Sequence, residues 1–90
     1  FDAVLMPTVP MIAPALAPLE ADDAAFFAAN GLMLRNPTMI NFLDGCALSV
    51  PCHAQGDAPV GLMIAGGPMM DAGILSIGLS IEQALKARGV

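Results

Sequence analysis

Three short apolar runs, each stopped by proline or glycine, limit what this chain can fold into. Ala3–Met6 ends at Pro7, Ala47–Val50 ends at Pro51, and Val60–Ala65 ends at Gly66-Gly67-Pro68. Short runs that are apolar at successive positions suit strands of a sheet covered by helices. Proline supplies no backbone donor, so none of the runs extends into a longer element. The first run reads as a strand buried on both faces. The second and third are joined by about seven polar residues, His53–Pro59, with a Gly56-Asp57 turn signal. That spacing predicts an antiparallel hairpin with a long loop.

Helices are expected in the remaining segments. Residues 72–88 carry Ile74, Ile77, Ile81 and Leu85 at helical spacing, widened by Leu75 and Leu79. Asp71 is the expected N-cap, Glu82 and Lys86 stand four apart in the favourable order, and Gly89 is the expected C′ residue. Asp22-Asp23 is expected to cap a short helix through Phe26 and Phe27 that breaks at Asn30-Gly31. A second stretch is predicted from Pro37 to about Leu43, with proline in its first turn. Residues 7–19 hold Pro7, Pro10, Pro14 and Pro18, which predicts an extended loop packed across a surface.

Such a set of elements makes a small core, and the composition exceeds what it can hide. Of the 90 residues, 57% are hydrophobic and 12% charged, where soluble domains carry about 25% charged residues. A chain this short buries only about 60% of its unfolded surface. The excess reads as a slab of a larger core, or a subunit that pairs through a broad apolar face. A start at Phe1, directly in strand-like sequence, leads us to expect one fragment of a longer protein over residues 1–90. No signal-peptide pattern is visible.

Charge narrows the partners. The net charge is −5, with eight acids against Arg35, Lys86 and Arg88. Nucleic acids and anionic membrane surfaces need clustered Lys and Arg, so neither is an expected partner. No apolar run approaches the roughly 20 residues that span a bilayer. A soluble, cytoplasmic protein is therefore expected. An intracellular setting would keep Cys46 and Cys52 reduced, and on one strand they would stand about 20 Å apart.

Few residues can carry chemistry. Cys52 and His53 are neighbours on extended backbone, so their side chains point to opposite faces and form no dyad. A strand-end Cys followed by a loop His is the better reading. One His and two separated Cys do not make a metal site, and no cofactor is expected. Gly66-Gly67 before a helix lacks both the dinucleotide and the Walker spacing, so it reads as a turn with strained backbone angles. Ser76 and Ser80 share a helix face and are expected to allow close packing. Arg35, Asn36, Asn41 and Asp44 fall within ten residues in apolar surroundings. Buried polar groups must find partners. They are therefore expected to tie the backbone together, or, for Arg35, Asn41 and Asp44, to line a substrate pocket.

The order of these segments resembles the amidase signature family. Phe1–Pro10 (FDAVLMPTVP) is similar to that family's FDALLMPTTP strand and loop, and Asn41–Pro51 (NFLDGCALSVP) to NLTGLPALSVP. Ala58–Gly66 (APVGLMIAG) resembles LPVGLQLIG, and Asp71–Leu75 with Ile81–Ala84 resembles the closing DEATLLRLAHAFEQA helix. The likeness covers most of the chain, missing mainly residues 11–35. The Asp-x-Cys-Ala form is closer to that of allophanate hydrolase-like members. Asp44 stands where glycine is usual, Gly45-Cys46 replaces Leu-Pro, and Met63 stands where Gln is frequent.

The resemblance implies an α/β fold with helices on both faces of a large mixed sheet, to which this chain gives about three strands and two or three helices. It implies hydrolysis of a carboxamide through an acyl-enzyme, with a serine nucleophile activated by a second serine and a lysine. Those residues would lie N-terminal to the matched part. Lys86 matches no catalytic position, so no catalytic residue carries over. The chain would complete the sheet and cover one side of the acyl pocket, and its partner would be a small amide bound by the parent enzyme. A stand-alone binding or dimerisation module is the rival expectation, and a thiol enzyme using Cys52 a third.

Overall fold

The computed structural model describes residues 2–90; Phe1, which opens the first strand-like run, lies outside the described residues. Six elements follow in the order β1 (Val4–Pro7), α1 (Leu16–Ala21), α2 (Asp23–Phe42), β2 (Cys46–Pro51), β3 (Gly61–Gly66) and α3 (Asp71–Ala87). The chain is thus α/β, with three strands and three helices among the described residues.

The sheet has the order β1-β3-β2, and both pairings are antiparallel. The predicted hairpin is β2–β3, with Leu48 opposite Ile64. The mixed sheet implied by the resemblance is not seen among the described residues, whose three strands all pair antiparallel. β3 is the central strand, and its residues divide between the two faces. Ile64 packs with Val50 and Ile74 against α3, while Met63 and Ala65 pack with Ile40 of α2. The expectation that the first strand is buried on both faces fails. β1 is an edge strand that leaves Val4 and Leu5 exposed.

α2 departs most from expectation. The predicted break at Asn30-Gly31 is absent, and one helix of 20 residues runs through it. Gly31 has no neighbour within 4 Å of a built Cβ, so it costs the helix only its intrinsic ~1 kcal/mol. Pro37 sits inside the helix instead of in a first turn, which leaves the carbonyl of Met33 without its helical donor. Asp22 does cap the helix, accepting from the Ala24 N–H at 3.1 Å. Within the proline-dense segment the loop gives way to α1, which contains Pro18. Pro18 is the third residue of that helix, where the backbone N–H has no helical partner to lose.

α3 forms nearly as predicted, one residue early at its start. Asp71 is its first residue and not its N-cap; Met70 occupies the cap without a side-chain bond. Ile74, Ile77, Ile81 and Leu85 pack on the sheet. Leu75 and Leu79 do not widen that stripe, remaining 59% and 57% exposed. Close approach to the sheet comes from Gly78, where a Cβ would stand 2.2 Å from Leu48 Cδ2. Ser76 and Ser80, expected to serve that purpose, are exposed. At the far end Gly89 has φ 82°, with Gly89 N–H bonded to the Lys86 carbonyl and Val90 N–H to that of Leu85. This pair of bonds is a Schellman cap.

The slab is thin. Its extents are 43 × 33 × 15 Å and its radius of gyration is 15.0 Å, against about 12 Å for a compact chain of this length. It exposes 6240 Å², where a compact monomer of its mass exposes about 4900 Å². Much of the surplus is apolar, including Phe26, Phe27, Phe42 and Leu43.

Candidate functional site

The cluster Arg35, Asn36, Asn41 and Asp44 divides into one buried anchor and three exposed groups. Asn36 is 6% exposed. Its Nδ2 donates to the Pro7 carbonyl at 2.8 Å, and its Oδ1 accepts from Arg35 Nε at 3.2 Å. One side chain thereby fastens α2 to the end of β1, and a buried amide finds the partners it needs. Arg35, Asn41 and Asp44 are exposed. Only Arg35 joins this network.

Asp44 ends α2. Its φ is 56°, the left-handed region that glycine favours. Asp44 N–H bonds to the Asn41 carbonyl at 3.1 Å and Gly45 N–H to the Ile40 carbonyl at 3.0 Å, the same pair of capping bonds that closes α3. Asp44→Gly is expected to raise stability by about 0.5–1 kcal/mol, because glycine adopts this conformation without a Cβ penalty. Urea denaturation of the two proteins checks it.

An apolar hollow of about 290 Å³ opens beside this turn. Ala3, Val4 and Met6 of the β1 region, Met39, Ile40 and Leu43 of the α2 end, and Ala65 to Gly67 with Met70 make its walls. Asp2 brings a carboxylate to the lining. Arg35, Asn41 and Asp44 are not among the wall residues; their neighbours Met39, Ile40, Leu43 and Gly45 are. Apart from the Asp2 carboxylate, its lining side chains are aliphatic or thioether, so the wall holds an apolar group by burial.

A second polar spot lies on the sheet. Thr8 and Ser49 share a hydrogen bond of 2.6 Å between their hydroxyls. They meet across Gly61, where a Cβ would stand 2.5 Å from Ser49 Oγ and 2.9 Å from Thr8 Oγ1. Gly61 is therefore required for the pair. Sequence reasoning missed it, because only the strand register brings residues 41 apart together. The alternation of Leu48, Ser49 and Val50 carried a weak hint.

The remaining candidates are structural in their contacts. His53 Nδ1 accepts from the Val60 N–H at 3.1 Å, and Cys52 N–H donates to the Val60 carbonyl at 2.9 Å. Together they close the β2–β3 loop. Both cysteines are free, with Cys46 Sγ 3.4 Å from the Gly67 carbonyl. The strained backbone angle of the β3–α3 turn falls on Met69, with φ 64°, and not on Gly66 or Gly67. Gly66 is needed for space, since a Cβ there would meet Ile74 Cδ1 at 2.8 Å. Lys86 lies 3.4 Å from Glu82, both well exposed. Among the described residues, no group of three or more His, Cys, Asp and Glu could hold a metal, and no helix is long and apolar enough to cross a membrane.

Comparison with known proteins adds what the wall alone does not carry. No family model matches the chain, and no solved structure does. The "uncharacterized protein in nthA 5′ region" of Rhodococcus erythropolis is 34% identical over 92% of this chain and 42% of its own length. The 2-amino-5-chloromuconic acid deaminase of Comamonas testosteroni is 35% identical over 90% of this chain and 18% of its own. A glutamyl-tRNA(Gln) amidotransferase subunit of Rhizorhabdus wittichii is 37% identical over 91% of this chain and 16% of its own. The relatives named for an activity are amidase-type enzymes. The chain spans less than half the length of each of these three.

Proposed function

We propose that this chain is the C-terminal flank of an amidase-signature hydrolase. It would complete the parent's sheet and cover one side of an acyl pocket, with the Ser–Ser–Lys residues supplied from sequence N-terminal to it. One observation carries the reading. Nearly the whole chain aligns with a small share, 16–18%, of two larger enzymes whose names describe chemistry at carbon–nitrogen bonds. The broad uncovered apolar surface supports it, since a sheet edge evolved inside a larger core would expose such a face when taken alone. The hollow beside the α2 end is the proposed stretch of pocket wall. Arg35, Asn41 and Asp44, on and just beyond the second half of α2, are proposed to flank that pocket in the parent.

The test compares two proteins. Ammonia release from a panel of aliphatic and aryl carboxamides is measured for the parent polypeptide and for the 90-residue chain. The parent is expected to hydrolyse at least one of them and to lose about 1000-fold or more in kcat when its nucleophilic serine is replaced. The isolated chain is expected to be inert. A parent without carboxamide hydrolysis overturns the reading, as does an isolated chain that matches the parent's rate. The rival, a stand-alone dimerisation module, is favoured by the same exposed apolar area.

A further inference from the structure

The buried Asn36 does more than fasten α2 to β1. Its Nδ2 donates to the Pro7 carbonyl at 2.8 Å, and its Oδ1 accepts from the Arg35 Nε–H at 3.2 Å. A buried side chain thereby holds an exposed guanidinium in one orientation. Guanidinium presents five N–H donors in a rigid fork. One of them is used here. The rest, on the two Nη atoms, pair with no carboxylate among the described residues, where the one ion pair is Lys86–Glu82. The chain carries eight acids against three bases, so carboxylates are not scarce. On α2 the positions three and four away are Gly31, Leu32, Thr38 and Met39. None of these can offset the charge as an acidic i,i+4 neighbour does.

The fold places this cation at one end of the hollow. Pro7, whose carbonyl holds Asn36, directly follows Met6, and Met39 lies one turn after Arg35 on the same helix face. Met6 and Met39 are both wall residues. Asp2, the carboxylate of the lining, precedes the opposite end of β1. α2 and α3 pack on opposite faces of the sheet, and Lys86 and Arg88 belong to α3 and its C-cap. Arg35 is therefore the only basic side chain on the α2 face.

We propose that Arg35 anchors a free carboxylate carried by the parent enzyme's amide substrate, an inference that rests on the amidase reading above. The substrate class is a carboxamide joined to a carboxylate through an apolar spacer. The spacer lies along Met6, Met39 and Ile40 and is held by burial. The carboxylate accepts from both Nη atoms, in the planar two-bond geometry that guanidinium and carboxylate share. Asn36 is a positioning residue. By fixing Nε it removes rotamer freedom that a loose arginine would lose on binding. With a net charge of −5, the chain as a whole disfavours an anion. The oriented cation decides where one can dock.

The test uses the parent polypeptide and measures ammonia release. Its substrates are monoamides of linear dicarboxylic acids of graded chain length, each beside its methyl ester. The ester keeps the amide and the spacer and removes the charge. The readout is the ratio of kcat/KM for acid over ester. At the best chain length this ratio is expected to be about 10 or more, and Arg35→Gln is expected to lower it by about 10- to 100-fold, the range for hydrogen bonds to a charged group. The loss should fall mainly on KM. Arg35→Lys keeps the charge without the fork and should give an intermediate ratio. A ratio unmoved by either substitution overturns the proposal, even where both rates fall, since Arg35 would then pair with an acidic side chain of the parent. A wild-type parent that treats acids and esters alike also overturns it, and leaves the amidase reading standing. A parent inert toward every amide overturns both.

Discussion

Ile64→Ala is expected to lower the unfolding free energy by about 3–4 kcal/mol, the upper part of the range for buried aliphatic truncations. Ile64 is the one large side chain with no solvent exposure among the described residues. It sits on the central strand and joins β2, through Val50, to α3, through Ile74. Truncation removes contacts to both neighbours and leaves a cavity that the sheet cannot collapse, because β3 is held on each side by backbone bonds. A domain of 90 residues has roughly 5–13 kcal/mol in all, so the loss is a large share of it. The midpoint of thermal unfolding should fall by about 15–25 °C. Urea denaturation should show the same loss with little change in slope. A loss under about 1 kcal/mol would mean that α3 is not docked on this face, and the described core would be wrong.

That core is legible in part from sequence. The period-3.6 stripe of α3 and the hairpin can be read from residues 47–50, 60–65 and 72–88, because local pattern decides them. The sheet order cannot, since no local signal places β3 between β1 and β2. A run that is apolar throughout reads the same on an edge as in a centre, which is why Ala3–Met6 suggests burial it does not have. α2 misleads for a different reason. Asn30-Gly31 and Pro37 are strong punctuation in isolated sequence, yet each costs a helix only about 1–3 kcal/mol. The cap at Asp22, the anchor at Asn36 and the burial of Ile40 hold the helix across both.

The site is legible to a similar degree. The polar group Arg35, Asn36, Asn41 and Asp44 stands out as a cluster, but sequence does not reveal which member is buried. The contact of α2 with the end of β1 decides that, and it selects Asn36. Asp44 is visible only as a departure from the glycine that the amidase-signature resemblance would place there. Its φ of 56° gives that departure a physical meaning. The left-handed position ends α2, and aspartate is among the few side chains other than glycine that tolerate it.

The residue after Asp44 leads to the second large effect. Gly45→Ala is expected to cost about 2–3 kcal/mol, as overpacking of a closely fitted site does. A Cβ at position 45 would stand 2.6 Å from the Gly66 carbonyl oxygen and 3.0 Å from Ile40 Cγ2. The first of these is backbone at the end of β3 and has no rotamer by which to withdraw. Relief requires either that β2 part from β3 where Cys46 pairs with Gly66, or that the capping bond from Gly45 N–H to the Ile40 carbonyl break. Both routes also disturb the hollow, whose wall includes Gly45, Gly66 and Ile40. Gly31→Ala is the internal control. It lies in the same helix–strand unit with open space around it, and it should gain up to about 1 kcal/mol from helix propensity. Opposite signs for two glycine-to-alanine changes, read by urea denaturation, would establish that α2 is continuous and that its end is packed on β3. A gain at both positions would remove the close approach of residue 45 to Gly66, and with it the wall of the proposed pocket.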